Sequence, residues 1–224
     1  MMVHAMSDSS MSIRTGKSIV EMRPQGDAAA RAPVRRKVLA IPGSLRRQSF
    51  NRLLLRAATE CAPPDLEVEL YDELATIPLF DEDLEQATAG GPPAVQHLRR
   101  LVASVDGLLI ATPEYNQSLP GVLKNAIDWL SRPAPNEVLV NKPIAVIGAS
   151  GGRWGTRLAQ STLRHVLVAT EALVLPKPML FIREAATLFD DSGHLVHQPT
   201  RRQLEGVMAS FASWIALVAR SDSA

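Results

Sequence analysis

The sequence predicts an α/β protein with a parallel sheet covered by helices on both faces, which is a three-layer doubly wound fold. Three observations support this prediction. Short apolar segments alternate with amphipathic helical segments from residue 37 onward. Segments such as 108–110 and 144–147 are apolar throughout, as are strands buried on both faces of a sheet. The helical segments between the strands are long enough for right-handed crossovers.

The elements follow one another in regular βα order. Strands are predicted at 38–41, 66–71, 107–111, 143–148 and 172–175. Helices are predicted at 51–62, 92–104, 118–131, 155–168 and 201–220. Two segments, 75–91 and 176–200, combine Pro, Gly and acidic residues with little periodicity and are predicted to be surface excursions. The sheet is therefore expected to have five strands.

Composition limits the classes of function. The 224 residues include 24 basic and 23 acidic side chains, so no large field of one sign favours nucleic acid or an anionic membrane as a partner. The single cysteine, Cys61, cannot form an internal disulfide, and no apolar stretch approaches membrane-spanning length. We expect a cytoplasmic protein without a metal site. Residues 1–36 are predicted to be a disordered extension, and residues 37–224 a single domain.

The loop after the first strand has the composition of an anion site. It contains Gly43, the hydroxyls of Ser44 and Ser49, and the guanidinium of Arg46 beside a predicted helix N-terminus. No glycine follows until Gly90, so the loop suits one phosphate better than a pyrophosphate. The alternative is that Ser49 or Asn51 only caps the helix.

The loop after the third strand can hold a flat ring with polar edges. Tyr115 offers an aromatic plane and Asn116 offers amide groups, while Pro113 restricts the backbone before them. Because the ends of parallel strands share one sheet edge, this loop is expected to meet the first one. The alternative is that Pro113 and Pro120 only end the strand and begin the helix, and that Tyr115 packs.

The glycine-rich loop 148–155 allows two interpretations. Its backbone amides can approach a ligand closely, which would complete a mononucleotide site. It also matches G-x-S-x-G, the nucleophile motif of serine hydrolases, with Ser150 as the nucleophile. The catalytic acid and histidine of such a hydrolase would then be among four residues that follow Ser150 in the chain: Asp190, Asp191, His194 and His197. The hydrolase interpretation leaves the first two loops unexplained.

Taken together, two motifs resemble a known family. Residues 43–52 read GSLRRQSFNR, and residues 112–116 and 120–129 read TPEYN and PGVLKNAIDW. They resemble the NAD(P)H-dependent FMN reductases, which include bacterial chromate, quinone and azo reductases. The similarity extends over about residues 37–175. It implies a flavodoxin-like fold with strand order 2-1-3-4-5, non-covalent FMN, and NADPH or NADH as the electron donor.

The resemblance also implies which residues bind FMN. The expected phosphate ligands are Ser44, Arg46, Ser49, Phe50 and Asn51. The expected contacts of the isoalloxazine ring are Pro113, Glu114, Tyr115 and Asn116, with Ser150, Gly151 and Gly152 from the third loop. No catalytic side chain is implied, because the flavin carries the chemistry. A homodimer or homotetramer is expected, with helix 120–131 at the contact; Trp129 is equally consistent with a core position.

The expected reaction is a two-electron, ping-pong reduction of a quinone, flavin, azo compound or metal oxyanion. Backbone N–H groups of 114–116 and 150–152 are expected to face the ring's polar edge, where reduction places negative charge. Arg153 or Arg47 is the expected partner of a donor 2′-phosphate. The alternative in another class is an electron carrier that does not oxidise NAD(P)H, although the near-neutral charge is unlike that of acidic flavodoxins.

Overall fold

A computed structural model of the chain describes residues 35–88, 90–133 and 136–221. The strands are β1 Arg36–Pro42, β2 Leu66–Leu70, β3 Gly107–Ala111, β4 Pro143–Ala149, β5 Leu173–Val174 and β6 Leu180–Ile182. The helices are α1 Phe50–Glu60, α2 Glu82–Ala87, α3 Pro93–Ser104, α4 Gly121–Leu130, α5 Arg157–Ala169 and α6 Gln198–Ser221.

The strands form one parallel sheet in the order β2-β1-β3-β4-β5, which confirms the predicted doubly wound fold. The buried strand β4 has two neighbours on its outer side. Its first residues pair with β5, for example Ile144 with Val174, and its last residues pair with β6, for example Ile147 with Leu180. The edge of the sheet beside the end of β4 is therefore built by β6.

Helices cover both faces of the sheet, and side chains alternate between the two cores as they do along any strand. Val38 and Ala40 of β1 pack in one core with residues of α1 and α6. Leu39 and Ile41 pack in the other core with residues of α3, α4 and α5. The sheet thus places the strand ends, and the loops that follow them, between two rigid helical layers.

The predictions for the two irregular segments are partly wrong. Segment 176–200 contains β6, whose Leu180 and Ile182 are each only 4% exposed. Three residues are too few to show a strand period, which explains why this sixth strand was not predicted. Segment 75–91 contains the short helix α2, which Asp81 caps by accepting hydrogen bonds from the N–H groups of Asp83 and Leu84.

Part of the second sequence motif holds the loop before α2. The Asn125 side chain donates to the Pro78 carbonyl at 2.8 Å and accepts from the Phe80 N–H at 2.7 Å. The Trp129 indole donates to the same Pro78 carbonyl at 2.8 Å, and its ring meets Phe80 edge-on. Trp129 is fully buried, so it is a core residue and its predicted place in a subunit contact is wrong.

The first strand begins at Arg36, one residue before the predicted domain boundary. The remainder of the predicted extension, apart from Arg35, lies outside the described residues. Within the described ranges, no helix combines the length and apolar character needed to cross a membrane.

Candidate functional site

The loops after β1, β3 and β4 line one cavity of about 240 Å³ at the carboxyl edge of the sheet. Its lining residues are Ser44, Arg46, Ser49, Phe50, Asn51, Pro113, Glu114, Tyr115, Ala149, Ser150 and Gly151. Ten of these eleven are predicted site residues, and Ala149 is the addition. The predicted residues Asn116 and Gly152 do not line the cavity.

Ser49 caps helix α1, as the alternative interpretation of the first loop predicted. Its Oγ accepts a hydrogen bond from the Asn51 N–H at 3.2 Å. The carbonyl of Ser49 accepts from the N–H groups of Arg52 and Leu53. Among the described residues, no acceptor pairs with the N–H of Phe50, the first residue of the helix. This donor and the positive end of the helix dipole are therefore available to an anion.

The hydroxyl of Ser44 connects the first loop to the second. Ser44 is 3% exposed, and its Oγ lies 3.3 Å from the Tyr115 hydroxyl oxygen. The Arg46 guanidinium is exposed and donates to the Gln48 carbonyl at 3.3 Å. It forms no ion pair with any other described residue, so most of its five N–H donors can bind a ligand anion.

Asn51 has a different role from the predicted cap. Its Nδ2 donates to the Ala149 carbonyl at 2.9 Å, and its Oδ1 accepts from the Ala149 N–H at 2.8 Å. The buried amide thus joins the start of α1 to the end of β4 and sets the distance between the first and third loops. The second N–H of the Asn51 amide has no partner in these two hydrogen bonds and could still donate to a phosphate. The predicted role of Asn51 as a phosphate ligand therefore stays a prediction.

The second loop is a tight two-residue turn. Tyr115 and Ser118 exchange two backbone hydrogen bonds of 3.0 Å, and the intervening Asn116 and Gln117 have φ angles of +49° and +65°. Positive φ at both central positions is the type I′ pattern, in which asparagine is favoured. The turn holds Tyr115 at the cavity with 49% of its surface exposed, so the alternative that this ring packs in the core is wrong.

Glu114 supplies an N-terminal cap to a helix 44 residues further along the chain. Its Oε2 accepts from the N–H groups of Leu158 at 2.9 Å and Ala159 at 3.0 Å. Thr156, the residue at the N-cap position of α5, makes no side-chain capping hydrogen bond. A carboxylate at a helix N-terminus is favoured by the unpaired N–H groups and by the helix dipole. The Oε2 atom of Glu114 is therefore engaged in capping α5, while the backbone N–H of Glu114 is free for a ligand.

Six backbone N–H groups, those of residues 114–116 and 150–152, were expected to face a ligand. Hydrogen bonds within the protein occupy three of them. Tyr115 donates to Ser118, Ser150 donates to the Ile182 carbonyl at 2.9 Å, and Gly152 donates to Ser150 Oγ at 3.0 Å. The N–H groups of Glu114, Asn116 and Gly151 donate to no group among the described residues.

The serine hydrolase interpretation is wrong. Ser150 Oγ accepts from Gly152, and no histidine of the described ranges hydrogen-bonds to it. His194 pairs with Asp190 at 3.3 Å, and His197 pairs with Thr200 at 2.8 Å. The backbone N–H of His194 also holds the pKa of the Asp190 carboxyl below its ordinary value.

Close packing, rather than hydrolase chemistry, explains the glycine at the first position of the G-x-S-x-G motif. A Cβ at Gly148 would lie 2.0 Å from Thr156 Oγ1 and 2.5 Å from the Thr112 carbonyl. Only glycine lets β4 approach the second loop and the start of α5 this closely.

This combination of fold and site defines a mononucleotide-binding protein of the flavodoxin-like class. The ligand cavity lies at the carboxyl ends of parallel strands, as it does in doubly wound proteins generally. The NADPH-dependent FMN reductase family matches residues 36–187. The chain belongs to this family. It is accordingly an oxidoreductase that uses FMN and NAD(P)H, and the interpretation as a carrier that does not oxidise NAD(P)H is wrong.

Individual relatives agree with this assignment. The chain is 44% identical over 179 residues to an NAD(P)H-dependent FMN reductase of Pseudomonas aeruginosa, covering 80% of this chain and 95% of the relative. It is 39% identical to a 2-hydroxy-1,4-benzoquinone reductase of a Burkholderia species, covering 80% and 96%. Among solved structures, the flavoenzyme FerB, an NAD(P)H:(acceptor) oxidoreductase of Paracoccus denitrificans, matches with a TM-score of 0.75 and 34% identity, covering 81% and 97%.

Proposed function

We propose that this chain reduces quinones by two electrons in a ping-pong reaction, with FMN bound in the cavity between the first, second and third loops. The observation that carries the proposal is the convergence of these three loops on one cavity. The hydrogen-bond donors suited to a phosphate lie in the first loop. The Tyr115 ring and the unpaired backbone N–H groups suited to a heterocycle lie in the other two loops. This polarity matches a ribityl phosphate joined to a flat heterocycle.

The first loop supplies the phosphate ligands. Ser44 and Ser49 provide hydroxyls, Phe50 provides a free N–H at the start of α1, and Arg46 provides a guanidinium at the rim. Neutral donors and a helix N-terminus bind a phosphate in a defined position, and the arginine adds charge-assisted hydrogen bonds. Among the described residues that line the cavity, the acidic one is Glu114, which belongs to the second loop rather than to the first.

The second and third loops supply donors for the ring. Glu114 and Gly151 line the cavity, and their N–H groups have no partner among the described residues. Pro113 and Tyr115 provide the apolar surface beside them. Bound FMN supplies hydride acceptance and donation. Fixed amide donors stabilise the negative charge that reduction places at the polar edge of such a ring, which favours transfer of two electrons together.

The size of the cavity supports an open site. At about 240 Å³ it is smaller than the roughly 300–1,000 Å³ of typical ligand pockets, so part of a mononucleotide would remain outside it. An exposed ring face can meet a donor and an acceptor only in turn, which requires ping-pong turnover. The quinone reductases among the relatives favour a quinone as the acceptor over chromate or an azo compound.

Steady-state kinetics test this proposal. Initial rates measured with varied NADPH at several concentrations of a benzoquinone should give parallel double-reciprocal lines. The quinone should compete with NADPH at high concentration because both occupy the same place. Intersecting lines would contradict the ping-pong mechanism, and faster turnover of chromate or an azo dye than of the quinone would contradict the acceptor class.

We further propose that the protein is a cytoplasmic homodimer or homotetramer. Leu45 and Tyr115, in the loops that line the cavity, are 48% and 49% exposed. Large exposed apolar side chains beside a ligand site are typical of a surface that binds another molecule or subunit. Light scattering of the purified protein should give the mass of two or four chains, and a monomer mass would contradict this proposal.

A further inference from the structure

Glu114 lies where the proposed FMN cavity meets helix α5. It lines the cavity, and its Oε2 accepts hydrogen bonds from the N–H groups of Leu158 at 2.9 Å and Ala159 at 3.0 Å. Of the described residues that line the cavity, Glu114 is the one with a carboxylate. The second loop therefore brings a negative charge to the edge of the cavity.

Helix α5 neutralises only part of this charge. The N-terminus of a helix carries about half a positive elementary charge. The first turn of α5 contains no acidic residue of its own, so the carboxylate of Glu114 is the anion that meets this positive end. Glu114 forms no ion pair with a basic side chain in the described ranges. A net negative charge of about half a unit therefore remains beside the cavity.

Hydrogen bonds fix the position of this charge. Glu114 is half-buried, and the turn that follows it is closed by the two backbone hydrogen bonds between Tyr115 and Ser118. The two bonds to α5 hold the carboxylate against the helix. A charge that is fixed and partly shielded from water acts on a bound ligand more strongly than a mobile surface charge does.

Such a charge changes the electron affinity of a bound flavin. Reduction places negative charge on the ring, and a carboxylate beside the cavity makes that charge less favourable. The free N–H groups of Glu114 and Gly151 have the opposite effect, because they stabilise it. A reduced flavin held by amides alone is a weaker electron donor than one that also lies beside a carboxylate.

We propose that the Glu114 carboxylate lowers the reduction potential of bound FMN and so assists the transfer of electrons from the reduced flavin to the acceptor. The inference rests on the proposed function, since it concerns FMN in the cavity of the three loops. Glu114 then has two roles: its hydrogen bonds cap α5, and its charge sets the potential. The two roles can be separated, because a substituted side chain can keep either one without the other.

Two conservative variants separate the charge from the cap. Glu114→Gln keeps an oxygen acceptor at the same distance along the side chain but removes the charge. Glu114→Asp keeps the charge, but its side chain is one methylene shorter and loses at least part of the cap. Asp81→Asn is the matched control, since Asp81 also caps a helix through two backbone N–H groups and does not line the cavity.

The measurement is the midpoint potential of FMN in the full-length protein, obtained by anaerobic equilibration with a reference dye. We expect Glu114→Gln to shift the equilibrium toward the reduced flavin about tenfold or more, which is about 30 mV upward for a two-electron couple. Glu114→Asp should stay at or below the wild-type potential, and Asp81→Asn should leave it unchanged. In rapid mixing, reduced Glu114→Gln protein should pass electrons to a benzoquinone more slowly than the wild type does.

A Glu114→Gln protein with the wild-type potential would overturn the inference and leave the FMN site intact. A Glu114→Asp protein whose potential rises as far as that of Glu114→Gln would also overturn it, because the cap rather than the charge would then set the potential. If Glu114→Gln does not fold, Glu114→Asp decides alone: a potential above that of the wild type overturns the inference, and one at or below it supports the inference. Failure of the proposed function shows instead in the wild-type protein, as intersecting lines in the steady-state kinetics.

Discussion

The side-chain amide of Asn51 pairs with the backbone of Ala149 through two hydrogen bonds, 2.9 Å and 2.8 Å long. The two residues are 98 positions apart in the sequence and lie at the start of α1 and at the end of β4, next to the first and third loops of the site. Asn51 is 2% exposed. The pair therefore acts inside the protein as a fixed link between two ligand-binding loops.

Replacing Asn51 by alanine should lower the free energy of unfolding by about 2–4 kcal/mol. The change leaves the N–H and the carbonyl of Ala149 without partners, and each buried unpaired group costs about 1–3 kcal/mol. Ser49→Ala removes only the cap of the same helix and should cost about 1 kcal/mol. Urea denaturation of both variants measures the difference. Equal losses would show that Asn51 does no more than assist capping.

A buried ion pair should stabilise the packing of α2 against α3. Glu85 has a side chain 6% exposed, and its two carboxylate oxygens lie 3.2 Å from Arg99 and 3.1 Å from Arg132. Burial lowers the pKa of Arg99, and the hydrogen bond that Arg99 donates to Glu85 opposes that shift. Glu85→Ala would leave the Arg99 charge buried with the Trp129 carbonyl as its partner, which should cost about 3 kcal/mol of stability.

Glu82→Ala is the control for this prediction. Glu82 also pairs with Arg132 at 3.1 Å, but its side chain is 62% exposed. Exposed ion pairs contribute about 0–1 kcal/mol, so this variant should unfold almost as the wild type does. Thermal or urea unfolding of the two variants side by side is the measurement, and a loss of stability in Glu82→Ala as large as in Glu85→Ala would refute the buried-pair explanation.

Gly148→Ala should destabilise the protein by about 2–3 kcal/mol, because its Cβ would overlap Thr156 Oγ1 and the Thr112 carbonyl. Gly152→Ala, in the same glycine-rich loop, should be tolerated, since the nearest atom to its Cβ is Ser150 Oγ at 3.5 Å. Unfolding in urea distinguishes them. A stable Gly148→Ala variant would mean that β4 and α5 can separate at this point.

Arg46→Ala should weaken FMN binding about tenfold or more, whereas Arg47→Ala should leave it nearly unchanged. Arg46 lines the cavity and Arg47 does not. A charge-assisted hydrogen bond to phosphate contributes about 1.5–3 kcal/mol. Fluorescence titration of the flavin-free variants with FMN measures both affinities. The same affinity in the two variants would remove Arg46 from the phosphate site.

The fold and the position of the site were predictable because both depend on local patterns. Apolar strands such as 107–111 and the helices between them have clear periods, and a parallel sheet necessarily brings the following loops to one edge. The glycines, hydroxyls and Arg46 in those loops could be assigned a role from their chemistry alone. Their convergence on one cavity followed from the topology.

The links between the loops were not predictable from the sequence. Glu114 caps α5 from 44 residues away, and no local pattern marks such a pair. Ser49 and Asn51 are both typical caps, and only the approach of β4 shows that Asn51 binds Ala149 instead.

The central claim, that the cavity of the three loops holds an FMN reduced by a pyridine nucleotide, is tested most directly by absorption spectroscopy. The purified full-length protein, loaded with FMN, is followed anaerobically in the visible range during separate titrations with NADPH and NADH. We predict flavin bands that bleach fully with one equivalent of NADPH and more slowly with NADH. A flavin that stays oxidised with both donors, or a protein that retains no FMN after reconstitution, would contradict the claim.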